Sequence, residues 1–213
     1  MTTRALMIES IRSSLAKSVP FEHLYPHLQP SPRGENRSLP AYSQSDLADR
    51  FSAELSLVGG EVYRAVSEEQ AVEKIKEILA NTGVKRIAIS DAELLHDFSL
   101  GDIEVIAEPS REDLLSVDAG VSTAQLAIAE TGTLVLRSSS ERHRLVSLVP
   151  PVHVCVLKVG DVRPSMDVVL EELSNQIDPA ITFITGPSRT SDIELTLAIG
   201  VHGPKRLIVV LID

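Results

Sequence analysis

A single cysteine, Cys155, stands in a chain of 213 residues. One thiol excludes an internal disulfide and cannot by itself hold an iron–sulfur cluster or a structural zinc site. Positive charge is also scarce. The 20 Lys and Arg face 30 Asp and Glu, for a formal charge of −10 and a pI near 5.1. Nucleic-acid recognition usually leaves a basic face, so nucleic acid is not an expected partner. No stretch is long and apolar enough to span a membrane. Met1 to Lys17 carries Glu9, Arg12 and Lys17 among its apolar residues and lacks the uninterrupted apolar core of a secretory signal. Together these absences predict a soluble cytoplasmic chain. Missing too are an internal repeat, a low-complexity tract and a glycine-rich dinucleotide fingerprint, because the glycines after strand-like runs are single.

What is present suffices for one sizeable core with an appended segment, and hardly for two full domains. Residues 1–44 read as an N-terminal helical extension and a Pro-rich arm. Leu6, Met7, Ile11 and Leu15 line one side of a helix over 3–17, and Pro20, Pro26, Pro30, Pro32 and Pro40 then break any periodicity. A loop that long suits an arm, a lid or a partner-binding extension. Residues 45–213 alternate between the two periods. Helices are predicted over 46–58 (ended by Gly59-Gly60), 68–81 (stopped at Gly83), 123–130 and 165–176, with a brief helix capped by Asp91 and a helical turn at 111–115. Strands are predicted over 61–66, 85–90, 103–106 and 133–137, with extended pieces at 117–120, 145–149 and 152–159. The alternation predicts an α/β fold with a mostly parallel sheet flanked by helices.

The C-terminal stretch is read as one βαβ crossover. Ile181, Phe183 and Ile184 make a strand, Ile193, Leu195, Leu197 and Ile199 the apolar positions of a helix ended by Gly200, and Arg206 to Ile212 a second strand. Between strand and helix lies Gly186-Pro187-Ser188-Arg189-Thr190. Gly186 permits a turn closed to other residues, and Ser188, Thr190, Ser191 and Asp192 can cap the helix. A helix N-terminus with Arg189 beside it, at the carboxyl end of a parallel strand, suits an anion such as a carboxylate, a phosphate or a partner's acidic side chain. Alternatively, the polar residues only cap the helix and Arg189 pairs with a nearby carboxylate.

Three further segments carry polar residues. In Ala129-Glu130-Thr131-Gly132-Thr133, Thr131 and Thr133 can hydrogen-bond a ligand. Glu130 is either a general base or a helix-end carboxylate in solvent. Arg137, Arg142, His143 and Arg144 form either a clamp for a carboxylate or phosphate or a solvated loop. In Val201-His202-Gly203-Pro204, His202 is either a proton carrier near neutral pH or a residue that fixes the loop. His153 and Cys155 alternate in an apolar strand, where Cys155 belongs to the core. No Ser-His-Asp order and no metal-ligand spacing emerges.

Gly186-Pro187-Ser188-Arg189-Thr190-Ser191-Asp192-Ile193-Glu194, followed by Gly200-Val201-His202-Gly203-Pro204, resembles the signature of the lactate utilization protein C (LutC) family, the LUD domain. Ala129 to Thr133 and Leu148-Val149-Pro150 are similar to that family too, and the resemblance covers roughly residues 45–213. It implies a fold like that of the ribose-phosphate isomerase, glucosamine-phosphate deaminase and CoA-transferase group. It also implies a part in oxidising L-lactate to pyruvate beside two cysteine-rich, iron–sulfur partner proteins, with no cofactor of its own expected in this chain. In that role Gly186, Ser188, Arg189 and Thr190, with the Arg137–Arg144 loop, hold a small organic acid, and His202 or Glu130 moves a proton. The alternatives are a stand-alone enzyme on sugar phosphates or acyl thioesters, with Glu130 as base or nucleophile, and a non-catalytic scaffold docking through its N-terminal arm.

Overall fold

The computed structural model describes residues 42–90, 95, 101–139, 144–175, 178–191, 197–199 and 203–213, together with Met7, Glu9, Arg12 and Ser13. The chain divides into Met1–Ala41 and Tyr42–Asp213. In the first unit the four described residues are helical and exposed. The rest of the expected helix and the Pro-rich arm lie outside the described residues.

In the second unit, local chemistry starts the first three helices. Ser43 and Asp46 exchange side-chain and backbone hydrogen bonds in a capping box that opens α1 (Gln44–Leu57). After β1 (Glu61–Ala65), the Ser67 hydroxyl accepts the Gln70 N–H and opens α2 (Glu68–Asn81). Ala71, Ile75, Ile78 and Leu79 recur at helical spacing and are buried. Then come β2 (Arg86–Ile89), β3 (Glu104–Ile106) and α3 (Arg111–Ser116), opened by a second capping box between Ser110 and Asp113. The chain continues through β4 (Ala119–Thr123), β5 (Leu126–Ile128), β6 (Thr133–Arg137), a 3-10 turn at Arg144–Ser147 and β7 (Val152–Lys158). It ends with a second 3-10 turn at Val159–Asp161, β8 (Val162–Arg163), α4 (Met166–Ser174), β9 (Ile181–Ile184), β10 (Arg189–Ser191), β11 (Leu197–Ile199) and β12 (Arg206–Ile212).

Six strands form one parallel sheet in the order β1-β12-β7-β4-β2-β3. β12 lies inside it, paired along its whole length with β7, and Leu207 to Ile212 are all buried. A parallel strand covered on both faces has no polar side, hence its continuous apolar run. A second sheet, β8-β5-β6-β9, is largely antiparallel, and β10 and β11 pair as an antiparallel ribbon. One face of the large sheet packs on α2 through Val154, Val156, Ile208 and Val210. The other presents Cys155, Leu157, Val209 and Leu211 to α1 and to the second sheet, with Phe51 and Leu55 of α1 fully buried. α4 covers the far side of the second sheet through Val169 and Leu173.

The α/β architecture with a parallel sheet agrees with the sequence. Three elements do not. The helix expected over 123–130 is instead the end of β4 followed by β5. Leu126 to Ile128 are buried on both faces, which removes the alternation that marks a half-exposed strand. The extended piece expected at 145–149 begins as a 3-10 turn. The crossover helix is replaced, in its described part, by the β10–β11 ribbon, which pairs Arg189 with Ile199 and Ser191 with Leu197. Ile193, Leu195, Leu197 and Ile199 recur every second residue, which is the strand period and not 3.6. β9 pairs with β6 in the second sheet, so it is no parallel neighbour of β12.

One polar pair sits inside the large sheet. Ser122 Oγ and His153 Nε2 are 2.7 Å apart, both residues fully buried. Among the described residues Nδ1 of the same ring has no partner. Burial pushes the His153 pKa down from 6.5 to about 3, so the imidazole is neutral in the folded chain. The unfolded chain takes up this proton as pH falls through 6.5 and the folded chain only near 3. Stability from this group is therefore complete above pH 6.5 and is lost progressively below it. At pH 5 the loss is about 2 kcal/mol. Urea unfolding at pH 7.5 and pH 5 should show that loss in the wild type and its disappearance in His153→Phe; an equal loss in both would assign the titration elsewhere.

Candidate functional site

Two glycine turns converge on the last turn of α1. Gly132 has φ 62°, and a Cβ there would stand 2.3 Å from the Leu55 nitrogen. Gly186 has φ 82°, and its Cβ would stand 2.9 Å from the Val58 carbonyl oxygen. Both backbones thus lie against the helix where a larger residue would collide, in a conformation that favours glycine. Three residues beyond Gly186, the exposed Arg189 donates from Nη2 to the Val58 carbonyl. The neighbouring Ser188 N–H donates to the Pro204 carbonyl at 2.9 Å.

This placement reverses the electrostatics expected of Gly186–Thr190. The last carbonyls of a helix lack intrahelical partners and carry its negative pole, so a guanidinium there satisfies the helix itself. Arg189 stands at the end of α1 and not at the start of a crossover helix. The loop also touches the segments leading into β1 and β12, which places it at the amino end of the large sheet. The expected position at a carboxyl end is corrected accordingly. Thr190 lies in β10, its backbone paired with Ala198.

Beside these turns runs a chain of three hydroxyls. Thr133 Oγ1 lies 2.7 Å from Thr131 Oγ1 and 2.7 Å from Thr185 Oγ1. Register explains the second contact: Leu134 pairs with Ile184, so Thr133 and Thr185 face each other at the end of the β6–β9 ladder. Thr133 is buried, whereas Thr131 and Thr185 are exposed.

The other charged candidates are held internally. Glu130 Oε1 accepts the Met166 N–H at 2.8 Å, at the first residue of α4, where Ser165 supplies no side-chain cap. An anion at a helix N-terminus does exist in this fold, then, and the chain provides it. Arg137 Nε pairs with Asp178 at 2.6 Å, and the Asp178 side chain is 1% exposed. Hydrogen bonding from Ser139, reinforced by Arg137, holds the Asp178 carboxyl below the usual range. Arg137 therefore belongs to an internal pair, while Arg144 begins a 3-10 turn and is exposed. Arg142, His143 and His202 lie outside the described residues. No group of three or more His, Cys, Asp or Glu among the described residues is arranged to hold a metal ion.

The structure sets the Thr131–Thr133 turn against Leu55 and Gly186 and Arg189 against Val58, both at the end of α1, and separates Arg137 and Glu130 into structural pairs. Thr185 and the Val58 carbonyl complete the cluster without any sequence expectation. The only signal for Thr185 is its place directly before Gly186, and strand register was needed to pair it with Thr133.

Residues 48–212 match the family model of the LUD domain. The chain is 36% identical over 163 residues to an uncharacterised protein of Neisseria meningitidis serogroup B, covering 71% of this chain and 66% of that one. It is 28% identical over 186 residues to a lactate utilization protein C of Geobacillus thermodenitrificans, covering 78% of each. It is 34% identical over 102 residues to a lactate utilization protein C of Bacillus subtilis, covering 45% of this chain and 42% of that one. The matched segment thus spans just under two thirds of the Neisseria protein and under half of the Bacillus subtilis one. A solved DUF162 family structure from Deinococcus radiodurans superposes with a TM-score of 0.66 at 22% identity, covering 81% of this chain and all of that one. That likeness supports the α/β fold.

Glu130 offers a direct test of cap against base. Glu130→Ala leaves the Met166 N–H without its acceptor and should cost about 1–3 kcal/mol of unfolding free energy in urea. Glu130→Gln keeps an acceptor oxygen and should recover most of that loss. Unaltered stability in both variants would free Glu130 for a chemical role.

Proposed function

The chain belongs to the LUD domain family, and on that premise we propose that it serves lactate utilization, as a component of a system that oxidises L-lactate to pyruvate. The match over residues 48–212, together with relatives named lactate utilization protein C, carries this reading. Oxidation of a 2-hydroxy acid to a 2-oxo acid releases two electrons and two protons. A chain with one buried thiol lacks the thiolate set of a cluster, so in this reading the electrons pass to iron–sulfur partner proteins. Its own contribution is to hold and orient a small organic acid at the α1 end, against which the connections carrying the Thr131–Thr133 hydroxyls and Arg189 both pack.

A non-catalytic subunit is the second reading, favoured by one specific observation. Glu130 is committed to the Met166 N–H, which removes it as a free general base, and Arg137 is committed to Asp178, which removes it as a free anion clamp. A stand-alone enzyme on sugar phosphates or acyl thioesters is less well supported. Fold likeness does not assign activity, and a nucleophilic Glu130 would have to give up its helix cap.

Reconstitution tests the proposal. L-lactate-dependent dye reduction should appear when this chain is mixed with cysteine-rich iron–sulfur proteins encoded beside it, and should vanish when this chain is omitted. An undiminished rate without it, or turnover of sugar phosphates or thioesters by the isolated chain, would overturn the assignment.

A further inference from the structure

We infer that β9 is an interface to a second copy of this chain, the two strands pairing antiparallel about a two-fold axis at Thr182. This interface does not depend on the lactate reading. β9 ends the second sheet, with β6 on one side and no strand on the other among the described residues. Neighbouring bonds fix which of its backbone groups face the open side. On β6 the Val135 carbonyl accepts the Gln125 N–H at 3.1 Å, and the Arg137 N–H donates to Gln125 Oε1 at 2.7 Å. Both therefore turn toward β5. Their partners across the ladder are Phe183 and Ile181. Opposed residues of an antiparallel pair either exchange bonds or turn away from each other, so Phe183 and Ile181 aim N–H and C=O outward. One step further on, the Ser138 N–H does donate to the Ala180 carbonyl, at 3.0 Å, as that alternation requires.

Open edges are normally guarded, often by charge. The other three ends of the two larger sheets are guarded in this way. β1 carries Arg64 paired with Asp49 and Asp213, β3 carries Glu104 paired with Arg86, and β8 carries Arg163 paired with Glu172. Ile181-Thr182-Phe183-Ile184 holds no charge, and Phe183 is 39% exposed. A second copy brings the same formal charge of −10, so an uncharged edge is where two copies meet without like charges opposed.

Register singles out the second copy as the occupant. With Thr182 opposite Thr182 of the other copy, Ile181 faces Phe183 and Phe183 faces Ile181, so every outward N–H meets an outward C=O. Sliding the pair one way sets Phe183 against Pro179, which has no N–H. Sliding it the other way sets Ile181 against Thr185, beyond the end of the strand. In the Thr182 register the exposed Phe183 ring lies beside Ile181 of the other copy, an aromatic–β-branched cross-strand pair on the face that carries α4. A ribbon this short belongs with interfaces below about 1,200 Å² of buried surface, so the dimer is reversible.

Sedimentation equilibrium of the full chain should give a mass that rises with concentration from 23.1 kDa toward twice that value. Phe183→Lys should hold it at 23.1 kDa while still unfolding cooperatively in urea. Thr182→Cys tests the register. Cα atoms of a non-bonded antiparallel pair stand about 4.5 Å apart, within reach of a disulfide, so oxidation with copper phenanthroline should link two copies. Val105→Cys on the open edge of β3 should stay unlinked, as should the wild type, whose Cys155 is buried. A mass fixed at 23.1 kDa at every concentration, or a folded Phe183→Lys variant that still dimerises, would overturn the interface. So would a Thr182→Cys variant that stays unlinked, or one that links no faster than Val105→Cys. If Phe183→Lys does not fold, the comparison of the two cysteine variants decides alone.

Discussion

The close approach of two backbones to the last turn of α1 is the constraint on which the rest of the arrangement depends. Leu55 is fully buried beneath the second sheet, and its backbone nitrogen is where a side chain at Gly132 would collide. One turn further on, the Val58 carbonyl meets Gly186 on one side and the Arg189 guanidinium on the other. The helix therefore locks two connections that leave different strands, β5 to β6 and β9 to β10. Close packing of this kind does not deform continuously, so the hydroxyls and the guanidinium carried by those connections are held in one geometry.

Charge follows the same organisation. The negative end of α1 takes up Arg189, and the amino end of α4 takes up Glu130. Arg137, which neighbours the proposed site in sequence, turns inward to Asp178 and leaves one nitrogen, Nη2, buried without a partner among the described residues. Breaking such a pair by removing one member strands a buried charge, so Arg137 and Asp178 serve the fold before they serve any ligand. Among the described residues, the two connections pressed on the end of α1 carry the threonine hydroxyls and the Arg189 guanidinium.

The outline of the fold was legible in the chain. Ser43, Ser67 and Ser110 announce α1, α2 and α3 through caps that local sequence can satisfy, and Gly83 ends α2 at the expected place. β7 and β12 are legible as continuous apolar runs. The two misread segments have different causes. Leu126 to Ile128 lie between layers and carry no polar face, and the apolar residues before Gly200 keep a two-residue period within a stretch that begins like a capped helix. Where burial is two-sided, periodicity loses its meaning, and the pairing partner decides the state.

By itself the sequence determined the class of this protein: an acidic α/β chain with one thiol, strands and helices started by their own caps, and two glycine turns rich in threonine and serine. Only the tertiary structure decided what those turns do. Cross-strand register placed Thr185 against Thr133, and the packing of α1 set Arg189 at the negative end of a helix, where the sequence had implied a positive one. Both are contacts between segments far apart along the chain, and the sign of the local field depends on which helix end arrives there. No local pattern encodes that.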